Sequence, residues 1–249
     1  MKRDFSSFRL GDVSTPQLTQ NRGRQTKVAL KVTMAVTGLI FVCFVLFHMY
    51  GNLKLFMGEE AFNHYAEFLQ KDLLYPILPK TGGVWLLRAV LGLALILHVV
   101  AAVVTWKRGR AARGPVQYKV KKGVKKQYLY GGVNAMRYGG IFIFLFVAFH
   151  LSQFTITKFN VGAVEIEGNN PYLLVVSSFQ VWWVYLIYLL AMIFLALHVN
   201  HGVFSALVTL GLERTGREKG FRVLALICAL AVLVGFMLPP TAILFGLIS

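Results

Sequence analysis

Five long apolar runs dominate this chain of 249 residues. Each has at least the ~20 residues that a helix needs to cross a hydrocarbon core ~30 Å thick. Because the core of a bilayer offers no water to backbone N–H and C=O groups, such runs must be helices that close their own hydrogen bonds. The sequence therefore predicts an all-α membrane protein, a single membrane domain over residues 1–249 that forms a five-transmembrane-helix bundle. The expected spans are approximately 28–51, 84–106, 138–157, 177–210 and 221–248.

The composition argues against a soluble globule. Hydrophobic residues make up 57% of the chain, the mean hydropathy is +0.63, and 14% of the residues are charged. Cys43 and Cys228 lie inside different apolar runs, so core packing explains them better than a zinc or iron–sulfur site. The absence of an internal repeat, a Walker loop and a dinucleotide fingerprint argues against a nucleotide-driven engine.

Basic residues predict the orientation of the chain. Residues 2–31 contain seven Lys or Arg, residues 107–126 contain nine, and residues 214–222 contain four. By the positive-inside rule the amino terminus is cytoplasmic and the carboxyl terminus outside. This basic face could serve orientation alone, attract anionic membrane lipid, or receive an acidic soluble partner. No nucleic acid is expected as a partner, because the basic residues are divided among short loops without a folded reading module.

One connection carries a helical pattern of its own. Within residues 59–74, apolar side chains recur at the spacing of a helix face. These side chains are Ala61, Phe62, Tyr65, Phe68 and Leu69. We expect this segment to be an interfacial helix on the outer surface of the membrane.

Four histidines, His48, His98, His150 and His198, each lie in a different apolar run. At 1.5 Å per helical residue, His48 and His150 share an outer level, and His98 and His198 share an inner level ~14 Å away. Neutral imidazole is a strong axial ligand of haem iron, so the two pairs could hold two bis-histidine haems. Intramembrane histidines can also bridge helices by hydrogen bonds or form a proton relay.

Two segments resemble a known family. Residues 198–202, with the sequence HVNHG, and the following Leu210-Gly211 look like the ligand helix of the single-chain dihaem cytochrome b anchor of succinate dehydrogenases and fumarate reductases. Residues 48–53, with the sequence HMYGNL, resemble the end of that family's first helix. The likeness covers nearly the whole chain in length, span count and histidine order, although no single motif is highly specific.

The resemblance implies a function. The chain would be the quinone-reactive membrane subunit of succinate dehydrogenase, a succinate:quinone oxidoreductase of the bacterial cell (inner) membrane that serves electron transport and the tricarboxylic acid cycle. Its partners would be a flavoprotein, which holds the succinate-oxidising site, and an iron–sulfur protein, both on the cytoplasmic side. Its cofactors would be two haem b groups and a quinone, commonly menaquinone in this family. His48 and His150 would ligate the outer iron, and His98 and His198 the inner iron, with His201 as the alternative to His198.

The same resemblance suggests roles for further polar residues. Haem propionates need cationic or hydrogen-bonding partners, for which Arg88, Arg137 and Gln153 are candidates by depth. A quinone site needs a proton donor within reach of the carbonyl oxygens. The candidates are Glu60, His64 and Glu67 near the outer level, and Arg24 and Gln25 near the cytoplasmic entry. The end that would host the quinone stays open.

Two rival functions also account for the histidines. A dihaem anchor of a different membrane oxidoreductase would keep the iron ligands and change the soluble partners. A haem-free transporter or assembly protein would use the imidazoles as a proton path.

Overall fold

The computed structural model describes residues 17–112, 133–162, 170–212 and 216–248, with side chains from residue 27 in the first range and residue 136 in the second. All regular structure in these ranges is helical. In chain order the α-helices are α1 (Gln17–Leu53), α2 (Glu59–Lys71), α3 (Gly82–Ala111), α4 (Val133–Leu151), α5 (Pro171–Phe179), α6 (Trp182–Thr209) and α7 (Glu218–Leu244). A short 3-10 turn, Lys54–Met57, follows α1, and a π-helical turn, Ser152–Ile156, extends α4.

Five segments in the described part of the chain are long and apolar enough to cross a membrane. They are Lys27–Met57, Gly82–Ala111, Met136–Ile156, Trp182–Thr209 and Glu218–Leu244. Their mean hydropathies lie between 1.8 and 2.6. The prediction of an all-helical protein with five candidate membrane-spanning helices is therefore confirmed.

Helix α6 lies at the centre of the bundle. It packs chiefly against α7, and also against α1 and α4, while α3 packs against α1. Val184 and Ala191 on α6 and Val232 on α7 are fully enclosed. Outward-facing side chains such as Ile96 and Leu145 are more than 60% exposed in the isolated chain. This distribution suits a bundle in lipid, where apolar side chains face acyl chains on the outside.

The fourth apolar stretch is broken into two helices. Helix α5 ends at Phe179, Val181 adopts an extended backbone conformation, and α6 begins at Trp182. The span expected at 177–210 therefore contains a break near its start. Apolarity alone does not reveal this break, because residues on both sides of it are equally hydrophobic.

A polar clasp joins α2 to the beginning of α5. The Asn170 side chain caps α5 by accepting a hydrogen bond from the backbone N–H of Leu173, at 3.1 Å. Asn63 of α2 donates to Asn170 Oδ1 at 2.9 Å and accepts from the backbone N–H of Tyr172 at 3.0 Å. Asn170 in turn donates to Glu59 at 2.7 Å. These bonds hold α2 at the end of the bundle where α5 begins.

Candidate functional site

His48 of α1 and His150 of α4 lie next to each other inside the bundle. Their ring centroids are 5.9 Å apart and their planes are inclined by 74°. Phe44 stacks on His48 with centroids 5.5 Å apart, and Phe236 of α7 lies 5.6 Å from the same ring. Phe146 stacks on His150 at 5.9 Å. The pair is thus enclosed mainly by aromatic side chains from three helices.

A hydrogen-bonded chain extends from His150 to α6 and back to the end of α4. The hydroxyl of Tyr188 lies 3.0 Å from Nδ1 of His150. The same hydroxyl donates to Oε1 of Gln153, also at 3.0 Å. Gln153 belongs to the π-helical turn and has no exposed surface, while its Nε2 atom has no hydrogen-bond partner. Such π-helical turns often occur at functional sites, where they redirect a side chain.

His98 of α3 and His198 of α6 form a second pair. Their ring centroids are 6.3 Å apart and their planes are inclined by 56°. Nδ1 of His98 lies 2.9 Å from the hydroxyl oxygen of Thr37 on α1, and Nδ1 of His198 is buried without a partner. Gly38 of α1 lies against the His98 ring, since a Cβ atom there would be in ordinary van der Waals contact with it, at 3.5 Å.

The two pairs occupy different levels of the bundle. Thr37, which contacts His98, precedes His48 by eleven residues on α1, a rise of ~16 Å. Tyr188, which contacts His150, precedes His198 by ten residues on α6, a rise of ~15 Å. Between these two levels, α1 carries Phe41, which lies beside His98, and Phe44, which lies beside His48. The pairs are therefore separate sites.

The remaining residues proposed from the sequence lie in several different places. His201 is half-buried one turn from His198, and the guanidinium of Arg88 is exposed over the ring of Trp85, 4.9 Å from its centroid. Arg137 lies over the ring of Trp106 at 5.6 Å. Glu60, His64 and Glu67 are exposed on α2. Arg24 and Gln25 belong to the backbone of α1, but their side chains lie outside the described part of the structure.

Two residues that the sequence reasoning missed contact the histidines directly, namely Thr37 and Tyr188. Each places a hydroxyl group inside a long apolar run, and each comes ten or eleven residues before a histidine of the same helix. A polar side chain in a spanning helix needs a partner, but the sequence does not indicate which one. Within the described ranges, no group of three or more His, Cys, Asp or Glu side chains is arranged to hold a metal ion.

The comparisons with known proteins give one family. Residues 17–238 match the family model described as Mycoplasma MFS transporter. No curated protein and no solved structure matches the chain. The match covers the first four candidate spanning helices and most of the fifth.

This match overturns the resemblance drawn from the sequence. The identification as a cytochrome b anchor of succinate dehydrogenase, and with it the role as an enzyme subunit in electron transport and the tricarboxylic acid cycle, is wrong. The same finding removes the two haem b groups and menaquinone as cofactors, and the flavoprotein and iron–sulfur protein as partners. A dihaem anchor of another oxidoreductase is excluded on the same ground.

The error has a physical reason. The likeness rested on two short segments, chain length, span count and the order of four histidines, and none of these features is specific to one chemistry. An imidazole inside a membrane is as useful for carrying a proton as for ligating a metal.

The expected location in the bacterial cell membrane, with several spans, is confirmed. By its match over most of its length, the chain belongs to the Mycoplasma MFS transporter family.

Proposed function

We propose that this chain is a proton-coupled transporter without haem, and that its two histidine pairs carry the proton. The observation that carries the proposal is the placing of four imidazoles, two by two, inside a bundle that belongs to a transporter family. Ionisable side chains inside a membrane are costly, and proton relays are one of the functions for which they are kept.

Histidine suits this role because its unperturbed pKa lies near neutral pH. The neutral ring has one N–H donor and one acceptor nitrogen, so it can receive and release a proton without moving far. Two imidazolium ions with centroids 5.9 or 6.3 Å apart would repel each other. Each pair therefore takes up at most one proton at a time.

The charge distribution supports an orientation for the transporter. In the described residues, the end of α3 carries Lys107, Arg108 and Arg110, and the start of α7 carries Arg217, Lys219 and Arg222. The connection that contains α2 mixes Lys71 and Lys80 with several carboxylates. By the positive-inside rule, the amino terminus lies in the cytoplasm, the carboxyl terminus lies outside, and α2 lies on the outer surface. The His48–His150 pair then serves the outer half of the membrane, and the His98–His198 pair serves the inner half.

The proposal is tested with purified protein in liposomes that contain a trapped pH indicator. Sugars, amino acids and organic acids are added one at a time as probes. We expect at least one probe to drive proton entry with the wild-type protein. The exchanges His150→Gln and His198→Gln should each reduce that entry to the rate of empty liposomes, because glutamine cannot carry a proton at neutral pH.

His64→Gln is the matched control, because His64 is exposed on α2 outside the spanning helices. It should leave proton entry at the wild-type rate. Wild-type rates in the two intramembrane variants would overturn the proposal, as would a failure of every probe to move protons. An absorption spectrum of the dithionite-reduced protein with the bands of low-spin b-type haem would also overturn it.

A further inference from the structure

One histidine of each pair contacts a hydroxyl group that already donates its proton elsewhere. The hydroxyl of Tyr188 donates to Oε1 of Gln153 at 3.0 Å. The hydroxyl of Thr37 donates to the backbone oxygen of Thr33 at 2.7 Å, with the backbone oxygen of Met34 at 3.3 Å. A hydroxyl group has a single proton, so each of these oxygens can meet its histidine only as an acceptor.

We infer that Tyr188 and Thr37 are positioning residues that fix the tautomers of His150 and His98. In both contacts the ring nitrogen is Nδ1, at 3.0 Å from Tyr188 and 2.9 Å from Thr37. Nδ1 must therefore carry the hydrogen and donate it. The neutral ring then has its lone pair on Nε2, and Nε2 is the atom that receives a proton in each pair.

The surroundings make this arrangement rigid. Tyr188 is only 7% exposed, and the rings of Phe146 and Phe179 meet it edge-on at 4.9 and 4.8 Å. Thr37 is 4% exposed and stands on the face of α1 that meets α3. The same device thus occurs twice, on different helices and at different levels of the bundle.

The inference rests on the proposed function in one respect only, which is the use of the tautomers. A fixed Nε2 acceptor gives a proton path a defined direction. The tautomers themselves are a property of the structure. A measurement of tautomers and a measurement of proton entry therefore separate a failure of the inference from a failure of the proposed function.

The test is solid-state ¹⁵N NMR of the full-length protein in lipid, labelled at histidine and held at a pH where the rings are neutral. The signals of His98 and His150 are assigned by their loss in His98→Gln and His150→Gln. We expect both rings to be protonated at Nδ1 and unprotonated at Nε2. An Nε2–H form as the main species of both rings in the wild type would overturn the inference without any need for a variant.

Variants then test the two hydroxyls. Tyr188→Phe and Thr37→Val should each shift the tautomer ratio of their own histidine by about tenfold toward Nε2–H, the effect of one lost hydrogen bond. Thr37→Ser should keep the wild-type ratio, because it retains the hydroxyl. The matched controls are Tyr185→Phe, whose hydroxyl faces Thr241, and Thr33→Val, whose hydroxyl bonds to Ala29.

The outcomes of these variants are distinct. Unchanged tautomers in both Tyr188→Phe and Thr37→Val would overturn the inference, as would equal shifts in the controls. A further outcome is that the wild type shows Nδ1–H tautomers that these two variants lose, while proton entry stays unaffected. This result would support the inference and count against the proton path.

Discussion

Gln153 shows how a single buried side chain is tied to the site. Its Oε1 atom accepts from Tyr188, whereas its Nε2 atom is buried without a partner. An unpaired buried donor is costly, and such a cost is more often retained at functional sites than elsewhere. The position of Gln153 on a π-helical turn explains how the side chain reaches inward from the end of α4.

The exchanges Gln153→Met and Tyr188→Phe should not be additive. Each removes the same hydrogen bond, so the double variant should lose less free energy of unfolding than the sum of the single variants. We expect a coupling of about 1 kcal/mol, the net value of one neutral hydrogen bond. The coupling is measured by reversible denaturation in detergent of the wild type, the two single variants and the double variant. Additivity would mean that the two side chains act independently.

The exposed pair of Glu67 and Lys71 on α2 provides a pH-dependent prediction. The hydrogen bond from Lys71 at 2.7 Å lowers the pKa of Glu67 below its ordinary value. Because the folded-state pKa is lowered, the pair stabilises the protein above the ordinary carboxyl pKa and loses this effect as the pH falls through the lowered value. The effect is small, since water screens both groups.

Lys71→Gln should therefore return the pKa of Glu67 toward its ordinary value. Carbon-13 NMR of glutamate-labelled protein, followed between about pH 2 and 6, measures the change. Lys80→Gln is the control, because Lys80 pairs with Asp72 at 3.9 Å and only weakly affects Glu67. An unchanged Glu67 titration in Lys71→Gln would show that the hydrogen bond is not formed in solution.

At the scale of elements, the clasp between α2 and α5 depends on the cap residue Asn170. Asn170→Ala removes the helix cap and the contacts with Asn63 and Glu59, so we expect a loss of about 1 to 2 kcal/mol in the free energy of unfolding. Thermal unfolding in detergent measures the loss. Gln70→Ala, an exchange at an exposed position of α2, should have almost no effect. Equal stability of the two variants would contradict the role given to the clasp.

The beginning of α3 depends on a close approach to the preceding loop. A Cβ atom at Gly83 would overlap the backbone carbonyl of Leu73, which has no freedom to move aside. Gly83→Ala should therefore cost about 1 to 3 kcal/mol, as overpacking usually does. Gly92→Ala on the same helix meets no atom within 4 Å and should be neutral or slightly stabilising. The same thermal measurement compares them, and equal losses in both would show that crowding at Gly83 is not the cause.

The sequence predicts these elements to different degrees. The five apolar runs indicate the spanning helices, because hydrophobic length is sufficient to recognise a span. The extended backbone at Val181 and the π-helical turn after Leu151 have no such signature, because both depend on how neighbouring helices pack. The clasp joins residues more than a hundred positions apart, which no local pattern indicates.

At the scale of the whole molecule, depth arithmetic along the helices goes far toward the histidine site. Counting residues from the helix ends assigns His48 and His150 to one level and His98 and His198 to another, and the structure brings these rings together. The counting gives no information on which chemistry uses the rings, because imidazoles bind metals and protons through the same nitrogen. It also misses Thr37 and Tyr188, whose hydroxyls become informative only when their distances to the rings are known.

The orientation of the molecule can be tested with two cysteines on opposite faces. Three spanning helices separate Lys80 from Lys219, so the two exposed positions must lie on opposite sides of the membrane. In a background with Cys43→Ala and Cys228→Ala, we expect Lys80→Cys in intact cells to react with a membrane-impermeant maleimide. Lys219→Cys should react only after lysis, because the proposed orientation places the basic connections in the cytoplasm. The reverse pattern would invert the orientation and exchange the levels of the two histidine pairs, and equal labelling of both positions would contradict three spans between them.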